Sequence, residues 1–318
     1  MLERVATIQK IADIAEPKVA EAFKRVVSQI RSDLQLAAIE RALKQGGIAA
    51  AIKEIPLDLM TRSLQPEVAK ILREVAEAAA QTAPLPSGTQ IAFDITSPEV
   101  FKYLQTEALN ELLNIRQESE AAIRVWMQKG FAEGIHPYDI ARGIREYVGL
   151  TSNQLQTVDR FRQFWEQVQS GDSSALTKEA AYKLQRAGLP RSAGVIARRG
   201  LTSSRLSDIV SRYADKLLRE RAIGIARTLT IDASNAGQNA LWKQAAKSGL
   251  LNENEWEVRW IVAHDDRLCP RCLAMAKMKR PLYGVYPNGV ARPTLHPQCR
   301  CSEGLVRKTG GLIFRKAA

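Results

Sequence analysis

The four cysteines of this 318-residue chain all fall between residues 269 and 301, and that confinement constrains the fold more than any other feature. A disulfide framework spreads its half-cystines through the whole of a small secreted domain. Here the 268 residues before Cys269 contain none. The distribution predicts a reducing compartment and one dedicated cysteine site near the C-terminus. The remainder must fold by apolar burial, and a content of 45% hydrophobic and 25% charged residues is that of an ordinary globular chain. With aromatics at only 6% and Ala, Leu, Arg, Gln and Glu abundant, helix is favoured over sheet. The expected fold is mainly α, a multi-helix N-terminal body with a small α+β C-terminal module holding the cysteine cluster.

Three regions are expected: helical residues 1–90, a helical body over 91–219 and the α+β module over 220–318. Ile8, Ile11, Ala12, Ile14 and Ala15 recur at helical spacing, and Gly46-Gly47 interrupts the pattern. Residues 83–90 are turn formers. Thr96 and Ser97 with Pro98 and Glu99 predict a capped start to a long helix. His136-Pro137 opens another, and Thr151 to Gln154 is a second capping box. Gly171 to Ser174 reads as a break, and Thr202 starts a last long helix with Leu206, Ile209, Tyr213 and Leu217 toward the core. After Gly249 the period changes. Trp256, Val258, Trp260 and Val262 alternate along a strand, 281–298 are turns, and 304–307 and 312–314 are short strands.

The cysteines stand as Cys269-Pro-Arg-Cys272, then 26 residues, then Cys299-Arg-Cys301, with His296 just ahead. Two close pairs of soft donors separated by a loop suit a tetrahedral zinc ion, which would lock a segment too polar to pack alone. Cys269, Cys272 and Cys299 are the first three ligands, and Cys301 and His296 compete for the fourth place. Disulfides and free buried thiols are the alternatives. His264-Asp265-Asp266 reads as a polar turn with an aspartate accepting backbone N–H groups.

Signals of an enzyme are lacking. The cluster has neither the His-x-Glu pattern of deaminases nor the His-Glu-x-x-His of zinc proteases. No glycine-rich phosphate loop is present. His136 reads as a helix cap, and the five tryptophans as core. The formal net charge is +12, which suits nucleic acid, an acidic protein surface or simple solubility. Arg198-Arg199 and Lys277 to Arg280 are the local basic clusters. No apolar run approaches the roughly 20 residues that span a bilayer, and Met1-Leu2-Glu3-Arg4 is unlike a secretion signal, so cytoplasmic synthesis without a membrane anchor is expected.

An ordered series of residues resembles a known family. It runs from Arg221-Ala-Ile-Gly-Ile-Ala-Arg227-Thr228 through Asn235-Ala-Gly237-Gln238 and Trp242 to the strand with Trp256 and Trp260. Asp266-Arg-Leu-Cys-Pro-Arg-Cys272 and Pro293-Thr-Leu-His-Pro-Gln-Cys-Arg-Cys301 complete it. In order and spacing the series is similar to the head-morphogenesis family of phage minor head proteins, of the phage Mu protein F type. The match is clearest over residues 200–302. It departs at Leu229, where the family often has an acid, and at Arg292, where a proline is common. The resemblance implies a virion component, made in the host cytoplasm, that acts with the portal protein during procapsid assembly, with capsid or scaffolding subunits and packaged DNA as further contacts.

Three readings follow. An assembly protein binds portal or capsid subunits without turnover. A nucleic-acid-binding zinc module needs Arg292, Arg300, Arg307 and Lys308 on one face beside the metal. A hydrolase or transferase needs a nucleophile, base and oxyanion arrangement that the sequence lacks. Arg221 and Arg227 lie six positions apart on one helix, so one is expected in a core ion-pair network and the other at a partner surface.

Overall fold

Helical periodicity dominates the sequence, and helix dominates the structure, a computed structural model that describes residues 2–170, 178–265 and 267–308. The order is α1 (Leu2–Asp33), α2 (Leu36–Lys53), α3 (Leu59–Arg62), α4 (Leu64–Gln81), α5 (Pro98–Lys102), a π-helical turn (Tyr103–Glu107), α6 (Ala108–Ala132), α7 (Pro137–Tyr147), α8 (Ser152–Ser170), α9 (Lys178–Arg186), α10 (Pro190–Arg199) and α11 (Ser203–Lys247). Then come β1 (Trp256–Ile261), α12 (Pro270–Ala274), β2 (Lys279–Pro281) and β3 (Ser302–Arg307). The fold is mainly α with a small α+β module at the C-terminal end. The expected break at 171–174, the strand at 312–314 and Asp266 lie outside the described residues.

Local chemistry explains the helix ends. Gly47 takes φ 67°, a left-handed value open to glycine, and divides α2. His136 caps α7, its Nδ1 accepting the Tyr138 N–H. Thr151 and Gln154 exchange side chain to backbone bonds of 3.1 and 3.3 Å in a capping box. The box expected at Ser97 is not made. Glu99 pairs with Lys247 on α11.

The chain divides into two compact units, each discontinuous in sequence. One comprises Phe23–Ser63 and Leu112–Arg221. Trp126, Tyr147, Phe161 and Trp165 fill it, and the Trp126 indole donates to the Ile140 carbonyl at 2.8 Å. Arg221 closes this unit from within. Its guanidinium donates to Glu118 at 2.8 Å and to the Gly149 carbonyl at 2.7 Å.

The other unit comprises Met1–Ala22, Leu64–Glu111 and Ala222–Ala318. Ile8 and Ala12 of α1, Ala79 of α4 and Ile231 of α11 pack together. The sheet is antiparallel in the order β2-β1-β3, with Val258 opposite Arg280 on one side and Leu305 on the other. Trp256, Val258 and Trp260 are buried along β1, as the alternation requires. Trp242 of α11 packs on Trp256, Val258 and Leu305. Arg227 is held in this unit by Glu16 through two bonds of 2.9 Å. Both arginines of the Arg221/Arg227 pair are thus ion-paired, Arg221 buried and Arg227 partly exposed.

Gly237 marks the tightest approach in this unit. A Cβ there would lie 2.0 Å from the Ala76 carbonyl oxygen of α4, and backbone cannot yield as a flexible side chain does. Gly237→Ala is expected to cost at least ~1–3 kcal/mol through overpacking, read as a lower urea midpoint. An unchanged midpoint would contradict the close crossing.

Candidate metal centre

The Cys-Pro-Arg-Cys segment folds around its first sulfur. Cys269 is the N-cap of α12, with Pro270 in the first turn, and its Sγ accepts the Cys272 N–H at 3.3 Å. The sulfur does what a serine or aspartate oxygen does at other helix starts. Before it, Asp265 accepts the Arg267 N–H at 3.0 Å and forms the expected polar turn. Across the site, His296 Nε2 lies 3.1 Å from Cys269 Sγ and 3.0 Å from Cys272 Sγ. His296 Nδ1 is 2.8 Å from the Pro297 carbonyl. With its proton on Nδ1 toward that carbonyl, a neutral imidazole would present the Nε2 lone pair to the sulfurs, the orientation of a metal-binding histidine.

Cys272 is shared by two triads, one with Cys269 and His296 and one with Cys299 and Cys301, each with all ligand atoms within 4.8 Å of one another. The Cys272 and Cys299 sulfurs are 3.7 Å apart. Zinc–sulfur bonds of about 2.3 Å set tetrahedral sulfur–sulfur edges near that value. The five side chains expected from the spacing thus cluster closely enough to hold a metal ion. The four cysteines are unbonded to one another in this structure.

The electrostatics of the bare cluster show what a cation would relieve. A hydrogen bond from the Cys301 thiol holds Cys299 down at about 5, against the opposing effect of burial. Cys301 is pushed far up by giving that bond and by burial. Burial and the neighbouring Cys299 raise Cys272 to about 12. The Cys272 N–H lowers Cys269. One thiolate suppresses ionisation of its neighbours, and a divalent cation reverses that suppression.

The cluster is seated on α11 by side chains of the resembling series. Thr228 Oγ1 accepts the Gln298 N–H at 2.9 Å, fixing the turn between His296 and Cys299, where Gln298 has a left-handed φ of 61°. Gly224 lies beneath that turn, where a Cβ would come within 3.0 Å of Gln298 Nε2. Asn235 donates to the Cys301 carbonyl at 3.2 Å and accepts from Ser302 at 3.1 Å. Gln238 donates to Asn235 at 2.9 Å and accepts from Arg4 at 2.9 Å. Trp260 packs edge-on to Tyr286 at 5.0 Å within the apolar wall around Cys272, Cys299 and Cys301.

The remaining arginines are mostly engaged. Arg292 binds Asp232 at 3.2 Å and also Glu107. Arg300 makes a two-point contact with Asp265, one bond at 2.6 Å. Arg307 and Lys308 are exposed at the end of β3, Arg307 lying 5.5 Å from the Trp256 ring centre. Of the four cations expected on a nucleic-acid face, Arg292 and Arg300 are thus ion-paired and Arg307 and Lys308 are exposed.

One network escaped the sequence reading. Arg280, which reads as part of a surface basic run, is buried with its side chain 2% exposed against Glu303 at 0%. Glu303 also accepts from Tyr286 at 2.8 Å and from Asn239, and Arg280 donates to the Leu282 carbonyl at 2.9 Å. The available signal was Glu303 itself, an acid set between Cys301 and the apolar Leu305 and Val306.

Removing the acid strands a buried guanidinium. Glu303→Ala is expected to destabilise by ~3–5 kcal/mol, measured by chemical denaturation, with the isosteric Glu303→Gln costing less. A loss under about 1 kcal/mol, the scale of an exposed pair, would contradict the network. Comparison with protein-family models, curated proteins and solved structures gave no match for this chain.

Proposed function

We propose that the chain is a phage minor head protein acting in procapsid assembly at the portal vertex, with one zinc ion locking its C-terminal module. The observation that carries this reading is convergence. Gly224, Thr228, Asn235, Gln238, Trp260 and the Cys/His residues are scattered over much of the C-terminal third, yet they meet around one loop on α11. Such a meeting gives the resembling residues one shared structural role, and it supports the family resemblance on physical grounds.

Zinc is favoured by the donors. Thiolates and an imidazole at tetrahedral spacing suit it better than calcium or magnesium, which take oxygen ligands. The polar side chains around the cluster, Asn235, Gln238, Asn239, Arg280 and Glu303, bind one another and the backbone. They stabilise a fold. The role assigned is assembly without turnover.

A second reading, a nucleic-acid-binding zinc module carried with the genome, draws on the net charge of +12 and on exposed Arg307 and Lys308. It is the weaker one, because Arg292 and Arg300 spend their charge on carboxylates. Arginines held in this way release few counterions from DNA.

Two outcomes test the main reading. The full chain is expected to co-sediment stoichiometrically with the assembled portal ring of its phage, and failure to associate with portal or capsid subunits would overturn the assembly role. Stripping metal with a chelator is expected to raise hydrogen exchange over residues 256–307 while the unit containing 112–221 stays protected. Unchanged protection over 256–307 would contradict the locking role of the metal.

A further inference from the structure

In the unit that carries the Cys/His cluster, four cations of differing engagement line one cleft. A cleft of about 410 Å³ opens between the start of α5, the last third of α11 and the 283–285 turn. Lys102, Lys243, Arg280 and Arg292 all line it. Arg280 is spent on Glu303, and Arg292 on Asp232 and Glu107. Glu99, at the same wall, is taken by Lys247. Lys102 and Lys243 remain, and among the described residues neither ammonium is paired with a carboxylate.

Lys243 is half-buried and lies 5.8 Å from the ring centre of Tyr283. Burial, with Arg280 adding repulsion, lowers its pKa, so an incoming anion would meet a partly desolvated ammonium and gain more than at an open surface. The rim is apolar. Tyr283 is 50% and Val285 53% exposed, and both line the cleft. Exposed apolar side chains beside unmatched cations describe a surface for a partner that brings both kinds of group.

The local charge decides which partner. A nucleic-acid strand binds through a run of phosphates matched by many cations, and here two free ammonium groups stand beside Glu99 and Glu107. One or two carboxylates satisfy that balance, and a polyphosphate chain does not. We propose that this cleft docks a segment of a partner protein in which an acidic residue sits beside an apolar anchor. The acid pairs with Lys243 and Lys102, and the anchor covers Tyr283 and Val285. The proposal deepens the assembly reading by naming a docking surface, and it rests on that reading only for the partner's identity.

The test is selection of a displayed random dodecapeptide library on the immobilised full-length, metal-replete protein. Enriched peptides are expected to pair Asp or Glu with Leu, Ile, Phe or Trp. Their affinity for Lys102→Glu/Lys243→Glu and for Val285→Glu should fall at least about tenfold, or roughly 1.4 kcal/mol. Both variants alter exposed or half-buried side chains, and unchanged melting temperatures would show that they fold. Should the double variant melt early, Lys243→Gln alone must still weaken binding. The proposal is overturned if no peptide is enriched, if enrichment ignores acidic residues, or if the variants bind as the wild type does. It is also overturned if fluorescent dT12 binds the wild type, is lost on the double variant and displaces the peptides. That result would assign the cleft to nucleic acid. Co-sedimentation with the portal ring is read separately, so the cleft and the assembly role can fail independently.

Discussion

Everything in the C-terminal module hangs on one row of contacts, the buried face of α11 against the strand and loop that carry Cys299 and Cys301. Asn235, Gln238 and Asn239 are buried, and such amides are costly unless bonded. They are bonded to Arg4, the Cys301 carbonyl, Ser302 and Glu303. The helix can present them only because Gly237 lets α4 approach on the neighbouring side. One turn of helix therefore sets two interfaces at once. The sulfur positions follow, since the backbone on either side of Cys299 is pinned at Gln298 and Cys301.

Two electrostatic problems sit side by side in this module and have different solutions. Arg280 and Glu303 are solved internally. The guanidinium and carboxylate saturate each other with help from Tyr286, Asn239 and two carbonyls, which is the condition under which a buried ion pair is tolerated. The thiol cluster has no internal solution. Its sulfurs depress and raise one another's ionisation, and a bound cation would let more of them ionise together. That contrast is the physical basis for reading the cluster as a metal site and its polar neighbourhood as scaffold.

Much of this was legible from residue order. Period-3.6 patterns and local caps need no distant partner, which is why Gly47, His136 and the Thr151/Gln154 pair behave as their immediate neighbours dictate. The Cys/His spacing was legible because tetrahedral coordination demands short loops. What stayed hidden depends on residues far apart in sequence. Arg292 meets Glu107 and Arg300 meets Asp265, so both arginines look like surface charges until the chain is folded. β2 is three residues ending in proline, too short for any period to register, and it forms because β1 offers an open edge. Arg280 was concealed by its lysine neighbours, and only the acid facing it reveals the role.

The most direct test of the central claim is the native mass of the full chain purified without chelator. The account predicts one zinc ion per chain, lost together with protection of all four cysteines from alkylation when a strong chelator is added. A native mass equal to the polypeptide alone, with the cysteines alkylated at the same rate before and after chelator, would contradict it.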